Sequence, residues 1–316
     1  MILAAAQSAL NPHSRPAHDI ATLWWGMLIV ASVVFLGAVG LLVASWFLRD
    51  REGVPIIGNR EGFNLGMVVL FGIGIPMAIL ISLFVVGNFV VLPQTDAPAA
   101  SSTRLTIQVT GKQWFWEVRY PGSQAVTANE IHIPVGTRVN VVATTADVIH
   151  SFWVPELNRK IDMVPGRRNR VLLFADRPGR YRGQCAEYCG VQHAHMSLYV
   201  FADPPARFRA WLAAQAKPRP APATPQERQG EQVFLANQCA SCHTLRGTPA
   251  RGNVGPDLTH VAGRTTLAAL TIPNTRTNLA AWIGDPQHVK PGNVMPTLPL
   301  RPQDRQALVA YLESLK

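Results

Sequence analysis

The sequence is short of charge and short of cysteine, and each shortage narrows what it encodes. Only 15% of its 316 residues are Asp, Glu, Lys or Arg, whereas 48% are hydrophobic. A disordered chain has the opposite balance. The formal charge of +10 invites a nucleic-acid reading. The Lys and Arg are scattered, however, and no aromatic-basic RNA motif or recognition helix occurs, so no nucleic acid is expected as a partner. A membrane-facing or partner-facing protein suits the charge better. The four cysteines fall in two tight pairs, Cys185 with Cys189 and Cys239 with Cys242, each followed by a histidine. A disulfide scaffold spreads its cysteines to staple distant segments, so these pairs read as metal or cofactor sites. The apolar stretch Met1–Leu10 lacks a basic n-region, so no complete signal peptide is read there.

What is present begins with two runs free of charge, Leu23 to Leu48, a span of 26 residues, and Gly62 to Thr95. Each exceeds the roughly 20 residues that carry a helix across a bilayer. Trp24, Trp25 and Trp46 sit near the ends of the first run, where aromatic belts form. A two-helix transmembrane hairpin is therefore expected within residues 1–98, its helices about 22–48 and 64–92. The connection holds Arg49, Arg51 and Arg60, against Arg15 alone ahead of the first helix. By the positive-inside rule the connection is cytoplasmic and both termini face outward.

From residue 99 the pattern shortens to alternating stretches such as Leu105–Val109, Glu130–Ile133, Arg138–Val142 and Arg170–Phe174, with Pro-Gly turns at Pro121, Pro165 and Pro178. That spacing predicts an all-β sandwich or barrel over 99–216, closing with a short helix at Arg207–Ala216. Four prolines between 217 and 225 make a semi-rigid extended linker. Residues 226–316 then form a compact helical segment, with helical cues at Gly230–Cys242 and Pro302–Leu315.

Chemistry concentrates in two places. Cys185, Glu187, Cys189, His193 and Met196 lie within twelve positions, and His150 sits upstream in Asp147-Val-Ile-His150. Thiolate, imidazole and thioether together select copper, and such sites carry electrons. A mononuclear site needs one Cys; two bridging thiolates point to a copper pair, with a Cys185–Cys189 disulfide as the bland alternative. His195 reads as a surface residue and His132 as a satisfied strand residue. The second place is Cys239-Ala-Ser-Cys242-His243, the c-type haem attachment signature: two thioethers fix the haem and the adjacent His binds iron. For the opposite side of the iron the residues leave Met295, His260 and His288 open, and His–Met ligation would raise the potential.

The copper segment, from Gly111-Lys-Gln-Trp114-Phe-Trp116 through His150-Ser-Phe-Trp-Val-Pro155 and Asp162-Met-Val-Pro-Gly166 to Met196, resembles the cupredoxin-like dinuclear copper (CuA) domain of haem-copper oxidase subunit II. That resemblance implies copper ligands His150, Cys185, Cys189, His193, Met196 and the carbonyl of Glu187. It also implies a magnesium at the Glu187 carboxylate where subunit I docks, and Trp114 as the aromatic residue where electrons arrive. Residues 226–316 resemble class I cytochromes c, which implies Met295 as the second iron ligand. The order hairpin, copper domain, haem domain resembles the cytochrome-fused (caa-type) cytochrome c oxidases.

The resemblance implies a two-pass protein of the bacterial cytoplasmic membrane, with both cofactor domains on the periplasmic face. Electrons would pass from an upstream donor to haem c, then to CuA, then to a partner subunit I that reduces dioxygen, with subunit III also present. The alternative is an electron-delivery subunit of a CuA-containing nitric oxide reductase. Two departures stand out. Residues 99–203 carry 12 Lys and Arg against 8 Asp and Glu, whereas relatives that receive a free basic cytochrome present an acidic face. Glu61 stands nearest to the family's proton-path glutamate, but in a different context.

Overall fold

A computed structural model of the protein describes residues 7–48, 61–97, 103 and 105–316. The Arg49–Arg60 connection behind the topology expectation lies outside the described residues, as do the Glu61 side chain and the expected boundary at 99. The chain divides into two compact units, one of His18–Thr95 and one that joins Met1–Ala17 to Asp96–Lys316.

The apolar runs form helices. The first, α1 (Arg15–Leu48), begins ahead of its apolar run because the Ser14 hydroxyl accepts from the amide of Ala17, capping the first turn, and Pro16 is tolerated there. The second is assembled from α2 (Glu61–Val69), α3 (Ile75–Val86) and α4 (Leu92–Thr95), joined through π-turns at Leu70–Gly74 and Gly87–Val91. Arg15–Leu48 and Leu65–Thr95 are long and apolar enough to cross a membrane. Val33, Phe35, Leu42, Leu65, Val68 and Phe89 are exposed, and a helix that is apolar all round has lipid as its natural solvent.

In the other unit the alternating stretches become ten strands: β1 (Thr106–Lys112), β2 (Phe115–Arg119), β3 (Val126–Ala128), β4 (Glu130–Pro134), β5 (Val139–Thr145), β6 (His150–Trp153), β7 (Ile161–Met163), β8 (Asn169–Leu173), β9 (Gly179–Cys185) and β10 (Ser197–Asp203). They make two five-stranded sheets, ordered β3-β2-β1-β5-β8 and β4-β10-β9-β6-β7. Period-2 alternation turns Ile107, Val109, Trp116, Val118 and Val141 of one sheet toward Ile131, Phe152, Leu198 and Val200 of the other, and all are buried. Helix α5 (Pro205–Gln215) closes the sandwich with Phe208 against this core.

Residues 217–223 carry neither helix nor strand, as their prolines require, yet they do not hang free. The Lys217 carbonyl accepts from His260, and Arg219 pairs with Glu231 and lies over the Tyr311 ring. The haem-type segment then builds α6 (Pro225–Ala236), α7 (Cys239–Cys242), a two-residue-per-strand hairpin of β11 (Thr266–Leu267) and β12 (Ile272–Pro273), α8 (Arg276–Gly284), α9 (Pro286–Val289) and α10 (Pro302–Ser314). Thr224 and Glu227 form a capping box on α6. Leu308, Val309, Leu312 and Leu315, the face expected from the sequence, are buried against Phe234 and Ile283.

Leu308→Ala in this core should cost about 2–5 kcal/mol. Denaturant unfolding followed by the helical signal would register it as a lower midpoint, and an unchanged midpoint would place α10 outside the core.

Candidate functional site

Strand pairing gathers the sulfur-rich cluster. β6 opens with His150 and β9 ends with Cys185, and their antiparallel register sets Phe152 opposite Cys185. The chain then loops out through Glu187, Cys189 and His193 and returns to β10, with the Cys185 amide donating to the Met196 carbonyl at 2.9 Å. The Sγ atoms of Cys185 and Cys189 end 3.7 Å apart. His150 Nδ1 is 3.8 Å from the Cys185 sulfur, and His193 Nδ1 is 3.6 Å from that of Cys189. Met196 Sδ lies 3.8 Å from Cys189, and the Glu187 carbonyl 3.1 Å from Cys185. The structure thus brings together all six donors named from the sequence. His195 is not among them: it is exposed and its ring bonds to Gln192. His132 is stacked between Phe201 and Trp211, with Nδ1 on Asp203 at 2.7 Å.

Other side chains aim these donors. Asp147 Oδ1 lies 2.8 Å from His150 Nε2, so that nitrogen carries the proton and Nδ1 faces the sulfurs. Gly111 leaves room for the same ring, since a Cβ there would meet His150 Cδ2 at 2.7 Å. Trp116, fully buried, packs against His150 and donates to the Met196 carbonyl. Gln113 Nε2 and Trp114 Nε1 both donate to the Cys189 carbonyl, at 2.8 and 2.9 Å. Sequence reasoning missed Asp147 and Gln113. The only signal for Asp147 was its place three residues before a ligand-type histidine.

The electrostatics suit a cation. The hydrogen bond shared with Cys189 pulls the Cys185 thiol far below its ordinary range, and the same bond, followed by burial and the resulting charge, pushes the Cys189 thiol up, so the pair gives up its first proton readily and its second reluctantly. Burial pulls His150 down, but the Cys185 sulfur and Asp147 carboxylate outweigh it and hold the imidazole above its ordinary value. Two soft sulfurs that can bridge, two imidazoles and a thioether on a rigid sandwich fit a copper pair, while zinc or a hard cation would not use Met196.

The second cluster is a cleft, open to solvent and lined by Cys239, Cys242, His243, Leu279, Met295 and Leu308 among others. His243 Nδ1 donates to the Pro256 carbonyl at 2.8 Å, which leaves Nε2 as the lone-pair nitrogen. Gly255 lies against the same ring: a Cβ there would be 2.4 Å from His243 Cε1. Of the three candidates for the far side, Met295 lines the cleft; His260 has both ring nitrogens on carbonyls of Lys217 and Lys316 and, like His288, lies outside the lining. Buried Arg264 lines the cleft with its Nε unpartnered among the described residues, a donor suited to an acidic substituent. Two thiols, a poised imidazole, a thioether and a guanidinium with its Nε–H free, its Nη2 already donating to the Asp257 carbonyl, fit a covalently held haem in an apolar cleft. Trp114 lines the same cleft from the β-sandwich side.

Residues 122–202 match the cytochrome c oxidase subunit II periplasmic domain, and residues 227–316 match cytochrome c. Cytochrome c oxidase subunit 2 of Alkalihalophilus pseudofirmus is 35% identical over 319 residues, covering 98% of this chain and 91% of that protein. The corresponding protein of Bacillus subtilis is 27% identical over 325 residues, covering 96% of this chain and 91% of its own length. The crystallised periplasmic domain of subunit II from Bradyrhizobium japonicum aligns at 34% identity with 36% of this chain and 94% of that chain, with a TM-score of 0.34. Two apolar helices, a β-sandwich and a helical cytochrome domain define a membrane-anchored subunit of a haem-copper oxidase whose β-domain is periplasmic. The chain belongs to the cytochrome c oxidase subunit 2 family, in its caa-type form with a fused cytochrome c domain.

Asp147→Ala should weaken copper loading by about 10–100-fold, because the His150 ring loses the partner that fixes its tautomer. Competition against a chelator would measure this, and unchanged affinity would remove Asp147 from the site.

Proposed function

We propose that this chain takes electrons from an external donor at a haem c and passes them through a dinuclear copper centre to subunit I, where dioxygen is reduced to water. The observation that carries this reading is the 3.7 Å approach of the Cys185 and Cys189 sulfurs with imidazole, thioether and carbonyl donors on both flanks. His150, Cys185, Cys189, His193, Met196 and the Glu187 carbonyl would hold the copper pair. Cys239 and Cys242 would hold the haem, with His243 and Met295 on its iron. When bound, the two groups supply reversible one-electron chemistry, which no side chain of the chain offers.

The chain's own residues contribute rigidity, exclusion of water and a short path. His150, Cys185, Cys189 and Met196 are buried in a sandwich whose strands hold them whichever charge the site carries. Trp114 would be the point of arrival for electrons, because its ring lines the haem cleft while its Nε1 bonds to the Cys189 carbonyl. The Glu187 side chain is exposed, beyond the buried sulfurs, so a magnesium there would need further donors from subunit I. Subunit III and a bacterial inner-membrane setting belong to the same reading.

In the purified oxidase, Cys189→Ser should leave haem c attached and reducible by the donor while abolishing dioxygen uptake from it. Uptake close to that of the wild type would contradict the route.

A further inference from the structure

The junction between the β-sandwich and the cytochrome domain buries a cation that the route above does not use. Lys290, in the loop that leads to Met295, is 3% exposed. Its Nζ donates to the carbonyls of Trp114 at 2.9 Å and His195 at 2.8 Å, both on the β-sandwich, and of Ala268 at 3.3 Å in its own domain. Three carbonyls take all three N–H bonds of an ammonium. Burial pulls this ammonium below the usual lysine range, and the nearby Cys189 sulfur pulls the other way.

The surroundings of Lys290 are set in advance. Ala268, Ala269 and Leu270 all adopt left-handed backbone, with φ of 53, 57 and 68°, unfavourable for residues that carry a Cβ. Such a stretch persists where its surroundings over-determine it. Here it turns the Ala268 carbonyl to Lys290 and the Ala269 carbonyl to the Ser197 amide of β10, 3.4 Å away. Contacts cross the seam in both directions. Buried Glu130 of β4 accepts from the amide and hydroxyl of Thr265 at 2.7 and 2.5 Å, Lys112 of β1 donates to the Asn253 carbonyl at 2.7 Å, and Gln192 donates to that of Pro291. Of these groups, Lys290 alone reaches both the backbone of Trp114 and the turn between His193 and Met196.

We propose that Lys290 is a positioning residue for the haem-to-copper step, locking the cytochrome domain onto the face of the β-sandwich that carries Trp114. The proposal rests on the electron route given above. That step moves one electron, from the haem iron to the copper pair, with no bond made or broken and no proton transferred. Its rate therefore depends on the separation and orientation that the seam fixes. With the seam closed the two sites keep one geometry; with it open they meet only by diffusion on residues 217–223.

The test compares the intact oxidase as wild type, Lys290→Met and Lys290→Arg. Hydrogen exchange at the Thr265 and Ser197 amides, which bond across the seam, reports docking without reference to turnover. In Lys290→Met both amides should exchange faster by about tenfold or more, while those inside α6 and α10 keep their protection. Haem-to-copper transfer after flash reduction should slow by about tenfold or more and become sensitive to solvent viscosity. Lys290→Arg, which keeps a cation, should recover part of both. Unchanged exchange together with fast, viscosity-independent transfer in Lys290→Met would overturn the proposal. If that variant fails to assemble, the wild type decides: viscosity-independent transfer with protected Thr265 and Ser197 supports the lock, and viscosity-dependent transfer overturns it. Missing copper or haem signals in the wild type would instead sink the route, leaving the exchange test of the seam intact.

Discussion

Two cysteine sulfurs held 3.7 Å apart inside a β-sandwich are the constraint on which the rest of this half of the chain depends. Left to themselves, two buried thiols so close would share a proton or oxidise, and neither outcome suits an electron carrier. The fold answers by surrounding them with donors that favour a bound cation. β6 and β9 bring His150 to the Cys185 side from 35 positions upstream, and the return to β10 brings His193 and Met196 to the Cys189 side. Asp147 from below one histidine and Trp116 from the core beneath it fix the ring in place. A site restrained this way changes little when its charge changes, and that is the condition for fast electron transfer.

The cytochrome domain repeats the same logic with different parts. His243 is aimed by a hydrogen bond from Nδ1 to the Pro256 carbonyl and is backed by a glycine, Gly255, as Gly111 backs His150. The seam between the domains relies on backbone carbonyls and a few buried charges rather than on an array of exposed ion pairs. Exposed charges mainly steer encounter and fade with salt. On the proposed route the donor is built into the chain and needs no steering, which gives physical sense to a β-domain whose residues 99–203 are net basic.

How far the sequence carried depended on the range of the interactions. The donors from Cys185 to Met196 and the Cys239–His243 signature are local in sequence, so spacing alone exposed them. The strands at Thr106–Lys112, Glu130–Pro134, Val139–Thr145 and Asn169–Leu173 follow from alternation, and each lies close to its expected stretch. The start of α1 moved to Arg15 because a serine cap, not hydropathy, sets it. Tertiary contacts were illegible: nothing in Lys290-Pro-Gly distinguishes a buried interdomain cation from a surface lysine, and nothing in Ala268-Ala269-Leu270 announces left-handed backbone. Residues 217–223 carry neither helix nor strand, whereas Thr224 caps and Pro225 already opens α6; the laying down of 217–223 along the cytochrome helices comes from Arg219, Glu231 and His260, which composition cannot pair.

The most direct test of the central claim is metal analysis with electron paramagnetic resonance on the purified protein. The account predicts two coppers for each haem and, in the oxidised form, one unpaired electron shared over both copper nuclei. A single copper, bound zinc, or a Cys185–Cys189 disulfide that refuses copper after reduction would contradict it.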